Sequence, residues 1–278
     1  MPKLPVGDAT ITDIPMMRTG NAVVTWAATA FRERLARNWT FQAVRNRATA
    51  PLVSFTFDDF PRSAATAGAQ VLQDFGVKGS YFVSGGRAGR HIDGLDQFVE
   101  DDLVRIAEAG HENGCHTFGH IALPGSSPMA IRDDLLRNAE FVRRVLGDYT
   151  MSSFAYPYGH VSLSKKALIG RFFPNCRGIW FGVNKHRVDC RQLRAVSLER
   201  SFDPEKVSAA LDEAQASNGW VIFFTHDISD HPSPYGCEPV RLAKILNDVL
   251  DRGIEILTVK GAAERIRETR AAQPAISD

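Results

Sequence analysis

The sequence predicts an α/β protein whose parallel sheet is covered by helices. Short runs of apolar, β-branched and aromatic residues alternate with longer helix-like stretches from Pro51 onward, and such alternation joins parallel strands through crossover helices. The runs are short, apolar and β-branched, as expected of buried strands. The length, 278 residues at 44% hydrophobic composition, is enough to bury a full core, and single α/β barrels reach this size. The pattern by itself is compatible with an open or a closed sheet.

The first fifty residues differ from the rest, which divides the chain into an extension, 1–50, and a main domain, 51–278. Between Arg18 and Arg47 there are six arginines and one acid, Glu33. Val23, Val24, Ala27, Phe31 and Leu35 recur at helical spacing, followed by Trp39 and Phe41, which predicts an amphipathic helix. One reading packs its apolar face on the main domain with the arginines in water. The other lays residues 18–47 on an anionic membrane surface or an anionic glycan.

In the main domain, LVSFTF (52–57) reads as a buried strand and GSYFV (79–83) as the next. Leu103, Val104, Ile106 and Ala107 precede Gly110, a helix stop. Ser127-Pro128 opens a long helix through Ile131, Leu135, Leu136, Phe141 and Val145, closed by Gly147. MSSFAY (151–156), GIWFG (178–182) and LRAVSL (193–198) follow as strands. Asp203-Pro204-Glu205 combines a cap, a first-turn proline and an acid, so a helix follows it. WVIFFT (220–225), a helix around Val240–Leu250, IEILTV (254–259) and a last helix complete the series.

Composition excludes several functions. Lys and Arg number 33 against 32 Asp and Glu, a net charge of +1, so there is no basic excess to hold a nucleic acid. Cys115, Cys176, Cys190 and Cys237 are scattered without a Cys-x-x-Cys pair, which suits a reducing compartment better than a disulfide scaffold. Asp8 and Asp13 stand where a secretion signal would be apolar, and no stretch reaches the ~18–20 apolar residues of a spanning helix. A cytoplasmic location is the expectation. Gly85-Gly86-Arg87-Ala88-Gly89 lacks the spacing and the lysine of a phosphate-binding loop, and no Gly-x-Ser-x-Gly elbow exists.

In parallel β/α folds reactive groups gather at the carboxyl ends of strands, and four polar clusters fall there. Asp58-Asp59 follows the first strand, His116 and His120 follow the segment after Gly110, Tyr156-Pro157-Tyr158-Gly159 follows MSSFA, and His226-Asp227 follows WVIFFT. Adjacent strand residues point to opposite faces, so Asp58 and Asp59 share a pocket only if the strand ends there. Of two close carboxylates, one is neutralised by a cation while the other handles protons; the alternative is a loop or cap pair. His116-Thr117-Phe118-Gly119-His120 sets two imidazoles on one face of a helical turn, and Asp59 completes a two-histidine, one-carboxylate set with open positions. Such a set suits Zn²⁺, Co²⁺, Mn²⁺ or Fe²⁺.

Thr-Phe-Asp-Asp (56–59), His-Thr-x-x-His (116–120), Tyr-Pro-Tyr-Gly (156–159) and Thr-His-Asp (225–227) resemble, in order and spacing, the motifs of the NodB-type polysaccharide deacetylases, carbohydrate esterase family 4. The resemblance spans residues 50–260. It implies a distorted (β/α)7–8 barrel, here with an extra N-terminal helical segment, and metal-dependent removal of an N-acetyl group from a saccharide. It further implies Asp59, His116 and His120 as ligands of one divalent metal, Zn²⁺ first among the candidates, Asp58 as general base and His226 as general acid. Tyr156, Pro157, Tyr158, Gly159 and Asp227 then belong to the substrate site, with a backbone N–H near Tyr158 facing the oxyanion; for Asp227, orienting His226 and capping the next loop stand as equal alternatives. A different C–N amide on the same fold, and a binding protein that has lost activity, are the competing functions.

Two departures stand out. The family's third motif carries an arginine that braces the base, and here that position is Ala155. Arg177, Arg191 and Arg194 are the candidates to replace it. The Asp-x-x-Asp-Trp motif is also missing, with Asp189 the nearest substitute.

Overall fold

A computed structural model describes residues 33–40 and 43–268. The described residues open with helical residues 33–38, α1, and strand β1 (Ala43–Arg45). Then come β2 (Leu52–Phe57), α2 (Ala69–Asp74), β3 (Ser80–Val83), the hairpin strands β4 (His91–Ile92) and β5 (Leu95–Asp96), α3 (Glu100–Glu108) and β6 (Glu112–Cys115). The middle holds α4 (Pro128–Leu146), β7 (Ser153–Ala155), α5 (Leu163–Ile169), β8 (Asn175–Arg177), β9 (Arg187–Asp189) and β10 (Val196–Ser197). The chain ends with α6 (Pro204–Ser217), β11 (Trp220–Thr225), α7 (Pro239–Asp251), β12 (Glu255–Ile256) and α8 (Val259–Arg265).

The main sheet runs β10-β11-β2-β3-β6-β7-β8, with β12 also paired to β2. All its strand pairs are parallel. The gap between β8 and β10 is bridged by the segment before β10: Leu193 N donates to Cys176 O at 2.7 Å, Gly178 N to Leu193 O at 2.9 Å, and Ala195 N to Trp180 O at 2.9 Å. The result is the distorted (β/α) barrel that the motifs imply. The two-residue period sends alternate residues of β2 to opposite faces of the sheet, and all six are buried. Val53, Phe55 and Phe57 face the helices. Leu52 joins the inner core with Phe82, Ala155, Leu193, Trp220, Ile222 and Phe224. The inner polar groups are satisfied locally: Trp220 Nε1 donates to Ser54 Oγ at 3.0 Å and Thr56 Oγ1 to Phe223 O at 2.8 Å.

Most predicted elements form where expected, and α4 keeps its predicted Ser127 cap and Gly147 stop. Three differ. The strand expected at GIWFG is β8, just upstream, because the chain after Arg177 turns to bond the 190–195 segment. IEILTV gives only β12, since Thr258 caps α8 by accepting from Gly261 N. Of the expected N-terminal helix, Val23, Val24, Ala27 and Phe31 lie outside the described residues. In α1, Ala36 is buried but Leu35 is exposed, so Leu35 is not on the buried face. Among the described residues no helix is long and apolar enough to cross a membrane.

The extension is fastened to the barrel by a buried ammonium. Lys166 Nζ, wholly buried on α5, donates to Ala36 O at 2.8 Å and Trp39 O at 2.9 Å and pairs with Asp189. Asp189 therefore belongs to this anchor and does not replace the missing acidic motif. All three ammonium donors are used, which is what a buried lysine requires. Replacing Lys166 with Met strands the Asp189 carboxylate and two carbonyls; urea unfolding should show a loss of about 3 kcal/mol, and a loss below about 1 kcal/mol would demote the anchor to a surface pair.

Candidate active site

The site lies at the carboxyl ends of β2, β6, β7, β8 and β11. Asp58 follows β2 and is buried, its backbone N–H donating to Thr225 O at 2.9 Å. Asp59 and Phe60 then take left-handed backbone conformations, φ 58° and 62°. This reversal lets two consecutive carboxylates face one pocket, which a continuing strand forbids. Phe60 is anchored between Tyr81 and Phe98, ring centroids 5.0 and 4.9 Å away.

His116 follows β6, and its Nδ1 lies 2.9 Å from Ala155 O, so Nε2 faces inward. The expected helical turn through His120 is absent. Thr117 and His120 are left-handed, φ 62° and 50°, and the loop is held by Asp134, which accepts from Phe118 N at 2.5 Å and Gly119 N at 3.1 Å. The two imidazoles still converge. His120 Nε2 lies 3.2 Å and His116 Nε2 3.7 Å from Asp59 Oδ1, and one donor atom from each residue falls within 4.8 Å of the others. Asp59 Oδ1 is buried and accepts no hydrogen bond. Burial pushes His116 down to about 4, against the pull of Asp58, and His120 down to about 3. Two neutral imidazoles and an unsatisfied carboxylate oxygen are a donor set that fits a divalent cation.

Beside this set stands Asp58, paired with Arg177, both buried. Burial alone would raise the Asp58 pKa; Arg177, then His116 and His226, outweigh it and hold the carboxyl below its usual range. Arg177 therefore takes over from the missing arginine. It sits on β8 directly opposite Ala155 on β7, so the cation has moved one strand sideways. Its guanidinium lies near the Phe82 and Phe224 rings, 5.2 and 5.1 Å from their centroids, and donates to Gly178 O at 3.1 Å. Arg194 instead donates to Phe181 O.

Across the pocket, His226 follows β11. Its N–H donates to Tyr235 O at 3.1 Å, and its Nδ1 lies 3.8 Å from Glu199 Oε1. Burial raises the Glu199 pKa and His226 opposes that rise. Sequence reading missed Glu199, although it follows β10 as the other clusters follow their strands. It also missed Arg87, read only against phosphate-loop spacing, whose Nη1 lies 3.2 Å from Asp59 Oδ2.

Four of the expected substrate residues are buried. Asp227 is 1% exposed, and its carboxylate accepts from Ser233 N at 2.9 Å and from the Ser233 hydroxyl; it caps the 231–237 loop. Tyr156 is buried with its hydroxyl donating to Arg191 O at 2.8 Å. Pro157 and Gly159 are buried as well, and Gly159 (φ 68°) approaches Ile179 so closely that a Cβ would lie 2.3 Å from it. Tyr158 alone of the motif presents its ring outward, 56% exposed. Cys115 is buried and accepts from Asn138 Nδ2 at 3.2 Å, as a small core residue rather than a ligand.

The sequence profile of the polysaccharide deacetylase family matches residues 45–170. No curated protein sequence matches the chain significantly. Among solved structures, a family 4 carbohydrate esterase from Bacillus anthracis superposes with a TM-score of 0.58 at 18% identity, covering 85% of this chain and 92% of the other. The chitin deacetylase of Colletotrichum lindemuthianum gives 0.56 at 19% identity, with 79% and 89% covered. A family 4 acetyl xylan esterase from Clostridium thermocellum, solved with a cobalt ion, gives 0.54 at 21% identity, with 76% and 89% covered. The four motifs, the family match over residues 45–170 and the shared barrel make this chain similar to the NodB-type polysaccharide deacetylases of carbohydrate esterase family 4.

Proposed function

We propose that the protein is a divalent-metal-dependent hydrolase that removes an N-acetyl group from an amino-sugar-containing saccharide or glycan precursor. One observation carries this reading: the donor atoms of Asp59, His116 and His120 converge beside an ionised, arginine-held Asp58. The three residues would hold the metal, with Zn²⁺ first and Co²⁺, Mn²⁺ or Fe²⁺ as alternatives. Such an ion supplies a Lewis acid that brings the pKa of a bound water toward ~7.

The chain's own groups divide the proton work. Asp58 is ionised at neutral pH and takes the proton of the attacking water. Arg177 keeps that carboxylate aimed and charged through the cycle. His226 donates a proton to the departing nitrogen, which would otherwise leave as an amide anion. Glu199 stabilises the imidazolium that gives this proton. Acetate and a free amino sugar result, and atoms and charge balance.

Arg177 also bears on the inactive alternative. The missing arginine at Ala155 was the ground for reading the fold as degenerate, and a brace in the adjacent strand removes that ground. Four buried free thiols support the proposed cytoplasmic location. There the substrate would be a precursor, such as a nucleotide sugar, a lipid-linked oligosaccharide or a chito-oligosaccharide.

Asp58→Asn should lower acetate release by about 10²–10⁴-fold while the metal content per chain stays that of the wild type; turnover close to wild type would remove Asp58 from its role. His226→Ala should slow an N-acetyl substrate at least about tenfold more than an activated O-acetyl ester, because a good leaving group needs no proton. Equal losses on both substrates would show that His226 is not the acid. Arg177→Met should reduce kcat by about 10²-fold, and adding Ala155→Arg to Arg177→Ala should recover part of the loss; a fully active Arg177→Met would refute the brace.

A further inference from the structure

The two metal-site histidines are oriented by different means. His116 is fixed by the contact of its Nδ1 with Ala155 O, as ligating imidazoles usually are. His120 stands on a left-handed residue of an irregular loop, and its ring is met edge-on by Tyr158, centroids 4.4 Å apart at 61°. Whatever holds Tyr158 therefore bears on His120.

Tyr158 is itself left-handed, φ 59°, with an exposed ring. Its ring stacks against that of His160, centroids 6.3 Å apart at 29°. His160 Nδ1 in turn lies 2.5 Å from Glu33 Oε1, and the Glu33 side chain is nearly buried. Glu33 is the first described residue of α1, ahead of the family match, which starts at residue 45. The helix cannot drift: Lys166 holds Ala36 O and Trp39 O, and the Arg37 guanidinium lies 4.5 Å from the Trp180 ring centroid. Trp180 belongs to the loop after β8, whose Ile179 packs on Gly159. Helix α1 thus spans the seam between two loops at the rim of the pocket.

We propose that Glu33 and His160 are positioning residues for His120, acting through Tyr158, so that segment 33–40 is a working part of the active site. This rests on the metal-site reading above. The extension serves the chemistry by fixing one imidazole, a role independent of any membrane.

The test uses the full chain, made metal-free, with Co²⁺ alone as the probe. Calorimetric titration and the visible absorption of bound Co²⁺ report affinity and ligand geometry. Glu33→Ala should weaken Co²⁺ binding about tenfold and change the absorption spectrum, whereas Glu33→Gln, which still accepts from His160, should keep most of the affinity. His160→Phe keeps a ring against Tyr158 but loses Glu33, and carries the same expectation as Glu33→Ala should that variant not fold. Wild-type affinity and spectrum in folded Glu33→Ala and His160→Phe would overturn the proposal alone. A wild-type chain that binds no Co²⁺ would overturn the metal-site reading itself, and with it this one.

Discussion

The mouth of the barrel is organised around one buried ion pair, Arg177 with Asp58. Taking a guanidinium and a carboxylate out of water costs several kcal/mol per ion, and their attraction compensates only if the remaining donors are also met. Here Gly178 O accepts one guanidinium N–H and the Phe82 and Phe224 rings flank the cation, while Nε is buried without a hydrogen-bond partner. The residue opposite Arg177 on β7 is the small Ala155. The pair explains why a carboxyl that burial would protonate stays ionised beside two neutral imidazoles.

Backbone strain is concentrated around this pair. Of the eight non-glycine residues with positive φ among the described residues, Asp59, Phe60, Thr117, His120 and Tyr158 border the site. Each costs roughly 1–2 kcal/mol, so each needs a restraint. Stacked rings hold Phe60, Asp134 holds the 117–120 loop, and Ile179 against Gly159 holds the loop carrying Tyr158. The outcome is a set of side chains converging from several strand ends with little freedom to relax apart. Such pre-organisation is what a proton-transfer site requires.

The loops behind the site serve it as scaffolding. Asp227 caps the 231–237 loop, and that loop returns Tyr235 O to the His226 N–H. Tyr156 ties the end of β7 to the segment that closes the barrel. Residues beside a catalytic motif are as often its frame as its contact with substrate, and their burial separates the two roles.

The strand runs, the helix caps and the positions of Asp58, Asp59, His116, His120 and His226 were legible in the amino-acid order, because hydrophobic period and strand-end placement are local properties. The α4 boundaries followed from Ser127, Pro128 and Gly147 alone. The tertiary structure decided what depends on contacts distant in sequence. It selected Arg177 among three arginines by strand register, brought Glu199 and Arg87 to the site, and bonded Tyr156 to Arg191 and Asp227 to Ser233. It also joined Glu33 to His160 across 127 positions. A side chain's type and spacing state what it is able to do, but its partner is set by which strands lie side by side, and that is a property of the folded barrel.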